Sequence, residues 1–318
     1  MKLLTYGPAL LLGLALSAAA GAQTTRPMTL LVPFPPGGAT DQLARVVAQK
    51  LTEQHGYVIT VDNRPGAGSQ VAVNVLKHAP ADGSMLFMGD IGAFSLNQHL
   101  YRKLNYDVAK DMQPIALVGK APLFVMVRKS SPFNNLQDLM VAGKTRDLSY
   151  GSPGVGTGAH VAAEMLRART GIRTTHIPYR GAAPALVELV SGQIDFVFDP
   201  LASSGPLLKD GRIRPLAVAT PQRSKLMPGV PTTAEAGAPS VNFVAWFGIA
   251  GKAGMSADVV QRLNKHIGEA ISSPDVVSRF ADIGIEISPS TPEEFDQLIK
   301  ADAQAYGPVI KALDINLD

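Results

Sequence analysis

The groups best placed to do chemistry in this chain belong to the main chain rather than to side chains. Leu30-Leu31-Val32 reads as an apolar strand that runs into Pro33-Phe34-Pro35-Pro36-Gly37-Gly38-Ala39-Thr40-Asp41. An amphipathic helix follows at once, with Leu43, Val46, Val47 and Leu51 at helical spacing. Gly37 and Gly38 let the backbone turn sharply and bare its N–H groups. The first N–H groups of a helix have no internal partner, and the macrodipole adds partial positive charge there. Such a corner holds an anion without a cationic side chain. Phe34, Pro36, Gly37, Gly38, Ala39 and Asp41 are therefore candidates for ligand contact, although Asp41 could equally do no more than stabilise the first helical turn.

A second corner is expected at Gly151-Ser152-Pro153-Gly154-Val155-Gly156-Thr157-Gly158, ahead of a helix from His160 to Arg169. Ser152 and Thr157 offer hydroxyls there, and glycines such as Gly156 offer N–H groups. Gly151 and Gly156 have phosphate-loop spacing, but Thr157 stands where lysine is required. Gly154-Val155-Gly156 could open a dinucleotide motif only with Ala159 in the last place. His160 and Glu164 sit four apart, a metal spacing, yet no second cluster accompanies them, and a local hydrogen-bonding role for His160 is the better reading. Arg180 could pair with a ligand carboxylate or with Asp199. Gly68 and Ser69, Asp90, and Asp199 complete the candidate set at further loops, with Ser69 also a possible helix cap. No G-x-S-x-G or H-E-x-x-H motif occurs, and no serine has a predictable histidine partner. These patterns give no sign of a catalytic site, a metal site or a cofactor.

The elements that must carry these corners alternate between strand and helix, the pattern of parallel α/β architecture. Strands are expected at Tyr57–Val61, Met85–Met88, Leu148–Tyr150, Thr175–Tyr179, Ile194–Phe198 and Leu216–Ala219. Gly89 to Gly92 reads as another glycine loop. Thr291-Pro292-Glu293-Glu294 gives the last helix a capping box. Two long extended stretches, near 119–127 and 241–249, read as crossings between two lobes, 24–121 plus 246–318 and 122–245. Ligand would then bind between the lobes, outside the carboxyl ends of the strands.

Composition bounds the function. The 318 residues, 46% hydrophobic and 17% charged, describe an ordinary globular chain. A formal net charge of +3, with scattered basic residues, gives no nucleic-acid surface. Cysteine is absent, so neither a disulfide nor a cysteine nucleophile is available. Lys2, the apolar run Ala9 to Leu16 and Ala20-Gly21-Ala22 read as a secretory signal, residues 1–22, cleaved to leave Gln23 first. A soluble periplasmic protein without a lipid anchor, monomeric by default, is expected.

Taken together, these motifs resemble the Bug-type periplasmic solute receptors of tripartite tricarboxylate transporters. The matching segments are Pro33 to Gly38 with Asp41, Asn63-Arg64-Pro65-Gly66-Ala67-Gly68, Ala79 to Ser84, Tyr106-Asp107, Tyr150-Gly151-Ser152 with Gly156, Thr157 and His160, Pro178 to Gly181, and Pro231-Thr232 with Glu235-Ala236-Gly237. The resemblance implies a type II periplasmic binding-protein fold whose lobes close around a small organic mono- or dicarboxylate. It implies that Gly37 to Ala39 and Ser152 to Thr157 hold one carboxylate through main-chain N–H groups and waters. A two-component membrane permease is the implied partner, with sensing rather than uptake, or an exported α/β enzyme, as the other readings.

Overall fold

The computed structural model describes residues 27–179, 181–238, 241–312 and 317. The signal-segment reading and Arg180 lie outside the described residues. In chain order the elements are β1 (Met28–Val32), α1 (Ala39–His55), β2 (Ile59–Asn63), a 3₁₀ turn (Ala67–Ser69), α2 (Gln70–Lys77) and β3 (Met85–Asp90). A π-helical turn (Gly92–Leu96), α3 (Asn97–Leu100), α4 (Val108–Asp111) and β4 (Met112–Arg128) follow. The chain continues through α5 (Leu136–Thr145), β5 (Leu148–Ser152), α6 (Gly158–Thr170), β6 (Thr174–Pro178), α7 (Ala182–Ser191) and β7 (Phe196–Pro200). It ends with α8 (Leu201–Lys209), β8 (Ile213–Val218), β9 (Val244–Lys252), α9 (Ala257–Ile271), α10 (Pro274–Asp282), β10 (Glu286–Ile287) and α11 (Pro292–Ala312).

The strand order is β2-β1-β3-β9-β4-β7-β5-β6, with β10 and β8 also on β4. The extended stretch expected near 119–127 belongs to one strand of 17 residues, β4, buried along nearly its whole length. Its first part pairs with β9 as far as Pro122↔Val244, and its second pairs with β7 from Leu123↔Pro200. Pro122 has no N–H to give either ladder, so it suits the changeover between partners.

Strand direction then decides where the loops go. β3 is antiparallel to β9, and β9 is antiparallel to β4, so β3 and its parallel neighbour β1 point along β4 toward the changeover. β7 is antiparallel to β4, and β5 is parallel to β7, so both point back toward it. The carboxyl ends of the two parallel sets therefore face one another across Pro122. The loops after β1, β3, β5 and β7 all open toward that gap.

Packing ties the two sets together. Phe94, Trp246 and Phe295 form a buried aromatic cluster, with ring centroids 5.4–5.8 Å apart. Trp246 Nε1 donates to Asp302 Oδ2 at 2.6 Å, tying β9 to α11. Farther along α11, Tyr306 packs on Phe243 at 4.8 Å. The capping box of α11 forms as expected, with Thr291 N–H on Glu294 Oε2 (2.9 Å) and Glu294 N–H on Thr291 Oγ1 (3.1 Å). Elsewhere the sequence reading needs correction. β3 runs on through Gly89 and Asp90 into the π-helical turn, so no glycine loop interrupts there. Ser69 stands at the head of α2, but its side chain makes no cap hydrogen bond.

Gly248 of β9 lies against Phe295, and a Cβ there would overlap the Cζ edge of the buried ring. Replacing Gly248 with valine is expected to lower stability by about 1–3 kcal/mol through overpacking. Urea unfolding followed through the fluorescence of Trp246, the one tryptophan in the chain, checks this.

Candidate functional site

The corner after β1 is shaped by one carboxylate. Gly37 has φ +91°, a left-handed conformation that glycine adopts without strain. Its N–H donates to Asp41 Oδ2 at 2.9 Å. Asp41 is only 2% exposed and also accepts from Arg45 Nε (3.0 Å) and Asn63 Nδ2 (3.0 Å), while Arg45 Nη2 lies 2.9 Å from its other oxygen. Asn63 Nδ2 reaches Phe34 O as well, at 3.0 Å, and so fastens the start of the loop. Burial opposes the charge of Asp41, but the bonds from Arg45, Gly37 and Asn63 outweigh it and hold its carboxyl below the usual range. Asp41 is thus a clasp, and Gly37 N–H, expected to be bare, is spent on it. The N–H groups of Gly38, Ala39 and Thr40 have no partner among the described residues. Pro35, Pro36, Gly37 and Gly38 are exposed, and Phe34 is half-buried against the α1 face of the core.

Beside it, after β2, the chain keeps positive φ through four residues: Gly66 (+137°), Ala67 (+44°), Gly68 (+57°) and Ser69 (+77°). Ala67 and Ser69 hold a conformation that side chains disfavour, so the surroundings must enforce it. Asn97 Nδ2 donates to Gly68 O at 2.6 Å and to Tyr106 Oη at 3.0 Å, and Tyr106 donates to Ala93 O. The Tyr101 ring covers Gly68 so closely that any side chain there would displace it. Asp90, ending β3, accepts Ala93 N–H at 3.2 Å, and burial raises its pKa.

The corner after β5 uses its hydroxyls internally, contrary to the expectation that they stand free. Ser152 Oγ lies 2.7 Å from His176 Nε2 and bonds the backbone of Gly154. Thr157 caps α6, accepting His160 N–H at 3.4 Å and donating to Gly154 O at 2.8 Å. Gly156 N–H donates to His160 Nδ1 at 3.1 Å. The metal spacing of His160 and Glu164 is likewise committed, because Glu164 accepts from Tyr150 Oη (2.6 Å) and Arg167 Nε (2.6 Å). What remains open are the N–H groups of Val155, Gly158 and Ala159, which have no partner among the described residues. Across the gap, Leu100 of α3 comes close to this corner: a Cβ on Gly156 would lie 3.3 Å from Leu100 Cδ1.

Asp199 sits near the end of β7, 3% exposed, on the side of the sheet that carries α8. Its Oδ2 accepts from Ser203 Oγ at 2.5 Å, and burial pushes its pKa up to about 7. The structure therefore gathers Gly38, Ala39, Ser152, Gly156, Thr157 and His160 at facing corners. It gives Asp41, Asp90 and Asp199 structural partners. Sequence reasoning missed Asn63 as a fastener and His176 altogether. His176 lies mid-strand among ordinary residues, and only the pairing Tyr150↔His176 brings it to the corner.

Replacing Asp41 with alanine leaves Gly37 N–H without its acceptor and removes one of the two bonds made by Asn63 Nδ2, the one to Phe34 O remaining. A loss of about 1.5–3 kcal/mol is expected, the range for hydrogen bonds to a charged group. The clasp contributes above pH 3.8, the ordinary carboxyl value, and is lost as pH falls below it, because its pKa is lowered on folding. Denaturant unfolding of the variant and the parent at pH 7 and pH 3 should show the difference shrinking in acid.

Comparison with known proteins places this geometry in context. A family model described as the tripartite tricarboxylate transporter family receptor matches residues 43–315. The protein BugT of Bordetella pertussis is 31% identical over 302 residues, covering 94% of this chain and 93% of its own. The solved structure of Rpa4515 of R. palustris with adipate is 34% identical with a TM-score of 0.83, covering 93% of this chain and all of its own. MatC of Rhodopseudomonas palustris with bound malate is 28% identical with a TM-score of 0.76, covering 89% and 98%. The fold is that of the two-lobed binding proteins. The family consists of solute-binding receptors rather than enzymes. This chain, matched along most of its length and folded as those proteins are, belongs to the tripartite tricarboxylate transporter receptor family, together with the Bug proteins.

Proposed function

We propose that the protein captures a small organic mono- or dicarboxylate between two lobes, 24–121 plus 246–318 and 122–245, and delivers it to a two-component membrane permease of the tripartite tricarboxylate type. The observation that carries this reading is the pair of facing corners whose N–H groups have no partner among the described residues, Gly38 to Thr40 on one side and Val155, Gly158 and Ala159 on the other. Neutral donors fixed by the backbone hold a charged group without ordering flexible side chains, which lowers the entropic loss on binding. Closure around the ligand would exclude water and strengthen those bonds. The likeness to proteins solved with adipate and with malate supports a carboxylate of that size. The far end of the pocket, near Asp90, Ser69 and Asp199, would then choose among carboxylates. The signal-like start of the sequence supports action in the periplasm after cleavage.

Gly38 offers a clean test. Its φ of −75° suits any residue, and a Cβ there would meet nothing nearer than Pro35 O at 3.9 Å. Valine at position 38 should therefore leave the fold intact while its side chain obstructs the open N–H groups. Calorimetry with a panel including adipate and malate is expected to show binding to the parent and at least a tenfold loss in Gly38→Val, with an unchanged melting temperature. No binding of any organic anion to the ligand-free parent would overturn the reading.

A further inference from the structure

Behind the second corner two imidazoles lie face to face. His160 of α6 and His176 of β6 stack with centroids 4.0 Å apart and planes inclined by 11°. Tyr150 of β5 extends the stack on His176 at 4.8 Å, and Phe196 of β7 backs Tyr150 at 5.5 Å. Each imidazole holds one end of the corner, His176 through Ser152 Oγ and His160 through Gly156 N–H. Nδ1 of His160 can accept that N–H only while it carries no proton. Protonation there would set two donors against each other at 3.1 Å. A positive charge on either ring would also face the other across the stack.

Among the charged and titratable groups around the pair, Glu164 of α6 is the nearby anion and favours an imidazolium on either ring, but burial outweighs it, and its oxygens serve Tyr150 of β5 and Arg167, its ion-pair partner at 2.6 Å. β5 otherwise presents Ser152, and β7 presents the apolar Phe196. His160 is 6% exposed, and burial lowers its pKa. Burial and the neighbouring ring push His176 down to about 4. Both groups are thus neutral in the intact corner. The stabilisation from their neutral forms is complete above pH 6.5 and is lost as pH falls from there toward the lowered values.

We propose that His160 and His176 are positioning residues for the second glycine corner, and that proton uptake by the stacked pair releases Gly156 and unmakes the corner, so that the receptor gives up its ligand in acid. The ligand clause rests on the function proposed above; the clasp itself does not.

Two measurements test it. In the ligand-free protein, NMR titration of the ring protons of His160 and His176 and of the Gly156 amide from pH 7.5 to 4 reads the clasp directly. The amide is expected to move with the His160 ring, both below the ordinary histidine value. An amide that follows neither ring, or rings that titrate as exposed histidines do, would overturn the proposal. The second measurement compares the parent with His160→Asn, whose side-chain oxygen can take the place of Nδ1 but cannot be protonated. Calorimetry with adipate at pH 7.5 and pH 5 cancels the ligand's own titration between the two proteins. Whatever the affinity of the variant at pH 7.5, the drop from there to pH 5 is expected to be at least fivefold steeper in the parent. Parallel drops would sink the switch while leaving the receptor reading intact. If adipate binds neither protein at pH 7.5, the receptor reading loses its support, and the NMR titration still decides the clasp.

Discussion

A strand that changes partners halfway along its length sets the geometry on which the site depends. β4 gives its first half to β9 and its second to β7, and the two parallel sets flanking it run toward each other. Helix dipoles and loop N–H groups at the carboxyl ends of both sets are thereby aimed into one gap. Were β7 parallel to β4, the second glycine corner would open on the far side of the molecule. The changeover falls at Pro122, where a missing N–H is least harmful.

Given that frame, the anion site proposed for these corners needs loops that stay put while some of their donors go unsatisfied. The two corners meet this need with opposite chemistry. At the first, the charged carboxylate of Asp41 gathers Gly37, Asn63 and Arg45, and leaves Gly38 to Thr40 open. At the second, neutral stacked imidazoles gather Gly156 and Ser152, and leave Val155, Gly158 and Ala159 open. One clasp wants its acid ionised, and the other wants its bases uncharged. Both conditions hold together above pH 6.5, and the histidine clasp is the first to weaken as acid is added. Around them burial raises the pKa of the Asp90 and Asp199 carboxyls, so charge there is less favoured than at an exposed acid.

The division between what was legible and what was not follows range of interaction. Local patterns marked the corners, because a strand, a Gly/Pro turn and an amphipathic helix are each written within a few residues. Gly56 and Gly171 end their helices in left-handed geometry, and the Thr291 box closes with the partners its spacing names. Gly89 misled, since the ladder with β9 draws residues through Asp90 into the strand, and nothing local announces β9.

By itself, then, the sequence determined the alternation of strands and helices, the places of the glycine corners, and the family to which the chain belongs. Only the tertiary structure decided which donors at those corners are free. Hydrogen-bond supply there depends on residues distant in the chain: Asn63 for Phe34 and Asp41, and His176 for Ser152. A glycine loop advertises N–H groups through composition. Whether each is spent or available is settled by what strand pairing brings alongside, and pairing is a property of the whole sheet rather than of any segment.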